Sequence, residues 1–157
     1  MFDRIAQASA EFFLQRNIKG VIFDIDNTLA PYEMLVPDEQ VREYLRSLTN
    51  AGIKFSFVSN NDQSRVERFN VFGCFAVYNA GKPFKKELLR AMAAMNTARG
   101  DTALCGDQIF TDIFAAKRIG LFTVMVKPIK DKTTLFFKFK RLLERPFIYI
   151  YKRKHHE

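Results

Sequence analysis

The sequence predicts an α/β fold in which a five-stranded parallel sheet lies between layers of helices. The chain has 157 residues, of which 48% are hydrophobic, enough for one domain with a proper core and too few for two. From Gly20 onward, short apolar runs alternate five times with longer amphipathic stretches. This alternation is typical of a parallel sheet with helices on both faces.

Each predicted element is a run of one hydrophobic pattern between turn or capping residues. The predicted strands are the apolar runs 21–23, 53–58, 74–78, 102–105 and 121–126. The predicted helices are the amphipathic stretches 38–51, 62–72, 83–95 and 111–118. Pro37 and Gly52 bracket the first of these helices, and Asn61 or Asp62 caps the second. Pro83 is acceptable in the first turn of the third helix, and Gly120 ends the fourth.

The composition also bears on localisation. No apolar run approaches the roughly 18 to 20 residues that a membrane-spanning helix needs. Asp3, Arg4 and Glu11 lie where an export signal would be apolar, so we expect no export. Cys74 and Cys105 are far apart and in apolar contexts, which favours a reduced, cytoplasmic chain.

The net charge of +8 is concentrated at the C-terminus. Residues 127–157 contain 10 Lys and Arg against 3 acidic residues, a net charge of +7, whereas residues 1–126 are close to neutral. A basic tail beside a near-neutral body indicates an anionic partner for the tail.

Polar residues follow all five predicted strands. They are Asp24 and Asp26, Ser59 and Asn60, Lys82, Asp107, and Lys127. Parallel sheets place functional residues at the carboxyl ends of the strands, where the strand order reverses. Four of these loops carry residues suited to one small, highly charged ligand.

The pair of aspartates after the first strand requires a partner. If the strand continues through Asp26, the side chains of Asp24 and Asp26 point the same way, and two carboxylates side by side repel. Mg²⁺ would relieve this repulsion because it prefers hard oxygen ligands, and Asp107 and Asp112 could complete its site. For an isolated pair, the capping of a turn is the simpler interpretation.

The other two loops offer groups that bind phosphate. Ser59 presents a hydroxyl and backbone N–H groups near a helix start, and Lys82 supplies a positive charge. On its own, each motif more often forms a turn than a binding site. Four matched loops in this order are difficult to obtain by accident.

The motifs DIDNTL, VSNN, GKP and GDQIFTD, in this order and at these separations, resemble the four signatures of the haloacid dehalogenase (HAD) superfamily of aspartate-nucleophile phosphatases. Within it, the chain resembles the YqeG family of subclass IIIA. The resemblance covers about residues 19–127 and implies a Rossmann-like HAD fold. We therefore expect one phosphatase domain over 1–157, with a catalytic core at about 19–127 and a basic, aromatic extension at 128–157.

The resemblance assigns the acidic residues. It implies that Asp24 is the nucleophile that becomes an aspartyl-phosphate, and that Asp26 is the general acid and base. It places Mg²⁺ on the carboxylates of Asp24 and Asp107 and on the backbone carbonyl of Asp26. Asp112 would hold a metal-bound water or orient Lys82.

The same resemblance assigns the phosphate-binding groups. Ser59, the backbone around Asn60, and Lys82 would hold the transferring phosphoryl oxygens. Thr28 would support its loop through the hydroxyl.

No cap domain is expected. Only 27–58 separates the first two motifs and 60–81 the next two, so each interval has room for about one helix and one strand. The site should be open, which suits a phosphate on a large molecule or a site that a neighbouring subunit encloses.

The C-terminal extension favours the large molecule. It interleaves aromatic and basic residues, which suits the interface of an anionic bilayer. YqeG-like proteins are similar to mitochondrial phosphatidylglycerophosphate phosphatases, so the leading hypothesis is a Mg²⁺-dependent phosphatase of that phospholipid, cytoplasmic and peripheral at the inner membrane face. Alternatively, residues 135–143 form a helix that covers the sheet. The N-terminal helix candidate, with Phe2, Ile5, Phe12 and Phe13, joins the same surface or packs on the domain.

Two other functions remain open. The first is a phosphatase of a soluble sugar or nucleotide phosphate, whose cap is a partner subunit in an oligomer. The second is a nucleic-acid or ribosome-associated binding protein that works through the basic tail. We expect no nucleic acid, because the tail has no RNA-binding signature and a binding module would not need the acidic loops.

Overall fold

The computed structural model describes residues 1–130. Its centre is a sheet of five parallel strands in the order β3-β2-β1-β4-β5. The strands are β1 (Gly20–Phe23), β2 (Lys54–Val58), β3 (Ala76–Val77), β4 (Thr102–Gly106) and β5 (Phe122–Met125). The order reverses at β1, so the carboxyl ends of β1 and β4 border the crevice where parallel sheets bind ligands. The α/β prediction is confirmed.

Helices cover both faces of the sheet. They are α1 (Ala10–Leu14), α2 (Glu39–Asn50), α3 (Gln63–Phe69), α4 (Lys86–Met95) and α5 (Phe114–Arg118). Side chains alternate along β1, so Val21 and Phe23 join the apolar cluster under α1, α2 and α3. Ile22 joins the cluster under α4 and α5. The described chain adds no cap domain to these layers, as the short intervals between motifs predicted.

Several predicted elements differ from the observed ones in length. The third strand is shorter than 74–78, because the Asn70 side chain bonds both the N–H and the carbonyl of Cys74 and so occupies the groups that would pair in the sheet. The helix before it ends at Phe69 rather than 72. The third predicted helix begins at Lys86 rather than 83, since the N–H of Phe84 closes a turn onto the Gly81 carbonyl.

The N-terminal segment packs on the domain. Phe2 pairs with Val126 beside β5, and Phe13 is fully buried in the core. The Tyr44 hydroxyl donates to the Ala8 carbonyl at 2.9 Å, which ties the segment to α2. Within residues 1–130, no helix has the length and apolar character to cross a bilayer. The predictions made for 135–143 and for the rest of the tail lie outside the described residues.

Candidate active site

Three carboxylates and one ammonium meet at the carboxyl ends of β1 and β4. We call Asp24, Asp107 and Asp112 the acid cluster, because one oxygen of each lies within 4.8 Å of the others. The Nζ of Lys82 donates to Asp24 Oδ1 at 2.7 Å and to Asp112 Oδ1 at 2.6 Å. All four side chains are buried. The structure therefore brings together residues of the first, third and fourth loops.

Burial governs the protonation of this site. It raises the pKa of Asp24 to about 7, against the opposing effect of the Lys82 ammonium, and the Asp112 carboxylate raises it further. For Lys82, burial alone would lower the pKa, but the carboxylates of Asp112 and Asp24 outweigh burial and raise it. Lys82 thus stays protonated at neutral pH.

The acid cluster fits a divalent metal ion. Three buried carboxylates face a single ammonium, so the fully ionised site carries an excess of negative charge that a cation would offset. All three ligands offer hard oxygens, the donors that Mg²⁺ and similar ions take.

A π-helical turn places Asp112. Residues Ile109–Ile113 form this turn, where the sequence predicted an α-helix from 111. Asp112 Oδ2 accepts the N–H of Gln108 at 3.1 Å, which turns Oδ1 toward Lys82. Such turns are frequent at functional sites.

Ser59 and Asn60 order the second loop through side-chain hydrogen bonds. The buried Ser59 Oγ accepts the N–H of Asn61 at 3.1 Å, which leaves its proton available for donation. The Asn60 side chain receives the N–H of Lys82 at 2.8 Å and donates to the Lys82 carbonyl at 3.1 Å. Asn60 therefore fixes the main chain that carries the ammonium.

Asp26 lies outside the acid cluster. β1 ends at Phe23, so alternation along a strand does not orient residues 24 and 26, contrary to the sequence argument. The Asp26 carboxylate accepts from Arg65 Nε at 3.0 Å and from Asn61 Nδ2 at 2.9 Å. Metal binding through the Asp26 backbone carbonyl stays a prediction.

Thr28 is buried in the turn after Asp26. Its N–H donates to the Ile25 carbonyl, while its hydroxyl makes no hydrogen bond within residues 1–130. A supporting role for that hydroxyl stays a prediction.

Comparison with known proteins agrees with this geometry. A family described as HAD-hydrolase-like matches residues 79–134. "Probable phosphatase YqeG" of Bacillus subtilis is 33% identical over 153 residues, covering 97% of this chain and 89% of the relative. The chain belongs to the YqeG family of HAD-type phosphatases.

Solved structures support the HAD fold of this YqeG-family chain. Cobalt-bound deoxy-D-mannose-octulosonate 8-phosphate phosphatase of Haemophilus influenzae has a TM-score of 0.53 and 14% identity, covering 83% of this chain and 89% of that one. A HAD phosphatase of Thermococcus onnurineus has a TM-score of 0.51 and 15% identity, covering 80% and 98% respectively.

Sequence reasoning missed two residues beside the YqeG-family site. Arg65 and Asn61 hold Asp26. Arg65 belongs to no motif that was singled out, and Asn61 is the last residue of VSNN but was considered only as a helix cap. The one available signal was the need of a desolvated Asp26 for a cationic partner, which does not indicate where that partner lies in the sequence.

Proposed function

We propose that this protein is a Mg²⁺-dependent phosphomonoesterase that works through an aspartyl-phosphate on Asp24. The observation that carries the proposal is the buried Lys82 ammonium, which holds Asp24 at 2.7 Å beside Asp107 and Asp112. Mg²⁺ held by the carboxylates of Asp24 and Asp107 and the backbone carbonyl of Asp26 would offset the charge of the site and of the phosphoryl group.

The reaction has two displacements at phosphorus. In the first, a carboxylate oxygen of Asp24 forms a bond to phosphorus while the substrate ester bond breaks, and Asp26 gives a proton to the departing oxygen. In the second, water attacks phosphorus and passes a proton to Asp26. The bond to Asp24 then breaks, which releases inorganic phosphate and restores both carboxyl groups.

The second and third loops hold the transferring group. The Ser59 hydroxyl and the backbone N–H groups around Asn60 would donate to phosphoryl oxygens, where charge spreads in the transition state. The Lys82 ammonium would stabilise the negative charge on the same oxygens. Asn60 keeps this ammonium in place through its two bonds to the Lys82 main chain. The role of Asp112 is to orient Lys82.

The rim of the site favours a substrate that is large and partly apolar. Several large apolar side chains that the described residues expose lie in the loops after β1 and β3 or at the start of α5: Tyr32, Leu35, Val36, Tyr78, Phe84 and Phe114. The most exposed of them, Phe84 at 72%, is two residues from Lys82. Since residues 1–130 place no cap over these side chains, a phosphate on a lipid could approach with its chains still in the bilayer.

The last two described residues also support this substrate. The N–H groups of Ile129 and Lys130 donate to the backbone and side-chain oxygens of Asn27, three residues after Asp24. Lys130, the last described residue, therefore lies beside the loop that carries Asp24 and Asp26. Basic residues near an anionic membrane surface contribute roughly 1 kcal/mol each. We infer that the substrate is phosphatidylglycerophosphate, reached by the cytoplasmic protein at the inner membrane face.

Initial rates test this assignment. Phosphatidylglycerophosphate in anionic liposomes would be compared with soluble sugar and nucleotide phosphates, with and without Mg²⁺, in the wild type and in Asp24→Asn. We expect the lipid to be turned over fastest, only with Mg²⁺, and not by the variant. Equal or faster turnover of a soluble phosphate would remove the lipid assignment and favour the soluble phosphatase. An Asp24→Asn protein with full activity would remove the mechanism.

A further inference from the structure

Arg65 is a buried cation that does not belong to the acid cluster. It lies in the first turn of α3, and only 4% of the residue is exposed. Burying a guanidinium is costly unless its donors are satisfied. Here Nε donates to Asp26, Nη1 to the Met34 carbonyl, and Nη2 to the Pro31 carbonyl.

All three acceptors lie on the loop that follows β1. The guanidinium therefore ties one end of this loop, at Asp26, to its far side at residues 31–34. Arginine suits this task because its planar fork holds several donors in fixed directions. Since the described part of the chain closes no cap over the loop, the shape of the loop depends on contacts of this kind.

Asn61 holds the Asp26 carboxylate from a second direction. Its Nδ2 donates to Oδ2 at 2.9 Å, while Arg65 occupies Oδ1. Each carboxylate oxygen can accept two hydrogen bonds, so both oxygens keep a position for proton exchange. The two donors thus fix the direction of the carboxylate and leave it able to react.

We propose that Arg65 is a positioning residue that aims the Asp26 carboxylate at the leaving oxygen, an inference that rests on the proposed function. Arg65 touches neither phosphorus nor the leaving group in this assignment. It acts through Asp26, and a small misplacement of a proton donor can lower a rate by up to about 100-fold. The prediction concerns the proton-transfer step and not phosphate binding.

The leaving group separates this role from a structural one. A p-nitrophenolate leaves readily without a proton, whereas a more basic phenolate needs one. The kcat/KM of Arg65→Met would be measured on p-nitrophenyl, phenyl and p-methoxyphenyl phosphates with Mg²⁺. We expect the loss to grow with leaving-group basicity, reaching about 10- to 100-fold more on p-methoxyphenyl than on p-nitrophenyl phosphate.

Matched variants complete the test. Arg68→Met, on the exposed face of the same helix, should keep the wild-type dependence on the leaving group. Arg65→Lys should restore part of the wild-type dependence on the leaving group, because an ammonium can pair with Asp26 without reaching both carbonyls. Asn61→Ala should show a smaller change in the same direction as Arg65→Met, and it replaces that variant should Arg65→Met not fold. A uniform loss on all three esters, or none, would overturn the proposal.

The Asp26→Asn variant separates the two levels of inference. If Asp26→Asn shows the leaving-group dependence and the Arg65 and Asn61 variants do not, only the positioning role fails. If Asp26→Asn itself keeps the wild-type dependence, the proposed acid fails. If Arg65 and Asp26 act in the same step, adding Arg65→Met to Asp26→Asn should lower kcat/KM little further.

Discussion

Gly106 and Asp112 are packed so closely that residue 106 has no room for a side chain. A Cβ on residue 106 would lie 2.4 Å from Asp112 Cβ and 2.6 Å from its Oδ2. The glycine that ends β4 is therefore required by the carboxylate that holds Lys82, and not by a turn.

Gly106→Ala should displace Asp112 and lower activity strongly. Relief of the overlap also costs stability, by about 1 to 3 kcal/mol. Urea unfolding and phosphatase rates would measure the two effects. Gly100→Ala is the matched control, since a Cβ there meets nothing within 4 Å. Equal behaviour of the two variants would contradict the packing argument.

Mg²⁺ should stabilise the folded protein against heat. The acid cluster exists only when β1 and β4 are assembled, so the ion binds the native state and not the unfolded chain. At a Mg²⁺ concentration 100 times its Kd, this binding adds about 2.7 kcal/mol to the free energy of unfolding. Melting curves with and without Mg²⁺ would show a rise in Tm. Asp107→Asn should lose most of this rise. If it keeps the full rise, the ion binds elsewhere.

The metal-free protein should lose stability as the pH rises from about 4 to about 7. Burial raises the pKa of Asp24 from 3.8 to about 7, so the native state keeps a proton that the unfolded chain has released. The contribution of this proton to the free energy of unfolding is complete below the pKa of Asp24 in the unfolded chain. It is lost as the pH approaches the pKa of Asp24 in the native state, and it amounts to at most a few kcal/mol.

Other carboxylates titrate over the same range, so the comparison with Asp24→Asn isolates the effect. Urea unfolding in EDTA at pH 5 and pH 7.5 should show the wild type losing more stability than the variant. A constant difference between the two proteins would refute the assignment of this proton to Asp24.

Tyr44→Phe should destabilise the protein without affecting turnover. The hydroxyl reaches the Ala8 carbonyl in the core, and its removal leaves a buried acceptor without that bond, at a cost of about 1 to 2 kcal/mol. Denaturant unfolding would measure this cost. Tyr78→Phe, at an exposed position, should be neutral in stability. A loss of catalytic rate in folded Tyr44→Phe would mean that the N-terminal segment reaches the site.

The sequence predicted the sheet because its signals are local. Apolar runs such as 53–58 and amphipathic stretches such as 38–51 each carry their own period, and capping residues mark where they end. Once parallel strands are assumed, their carboxyl ends bring Asp24, Lys82 and Asp107 together. The convergence of the main site therefore follows from topology alone.

The partners of Asp26 did not follow from the sequence because they depend on packing between elements. Whether Arg65 faces solvent or the first loop is decided by the rotation of α3 on the sheet, and an arginine on a short amphipathic helix usually faces water. The π-helical turn before α5 could not be predicted either, since its sequence is typical of an ordinary helix start.

The site draws on distant parts of the chain, and this sets when catalysis can begin during synthesis. Asp24 leaves the ribosome well before Asp107, Asp112 and the residues 129–130 that brace Asn27. A nascent chain that stops before β4 has Asp24 but lacks the other two carboxylates of its cluster. The acid cluster can therefore assemble only after β4 and the π-helical turn have emerged.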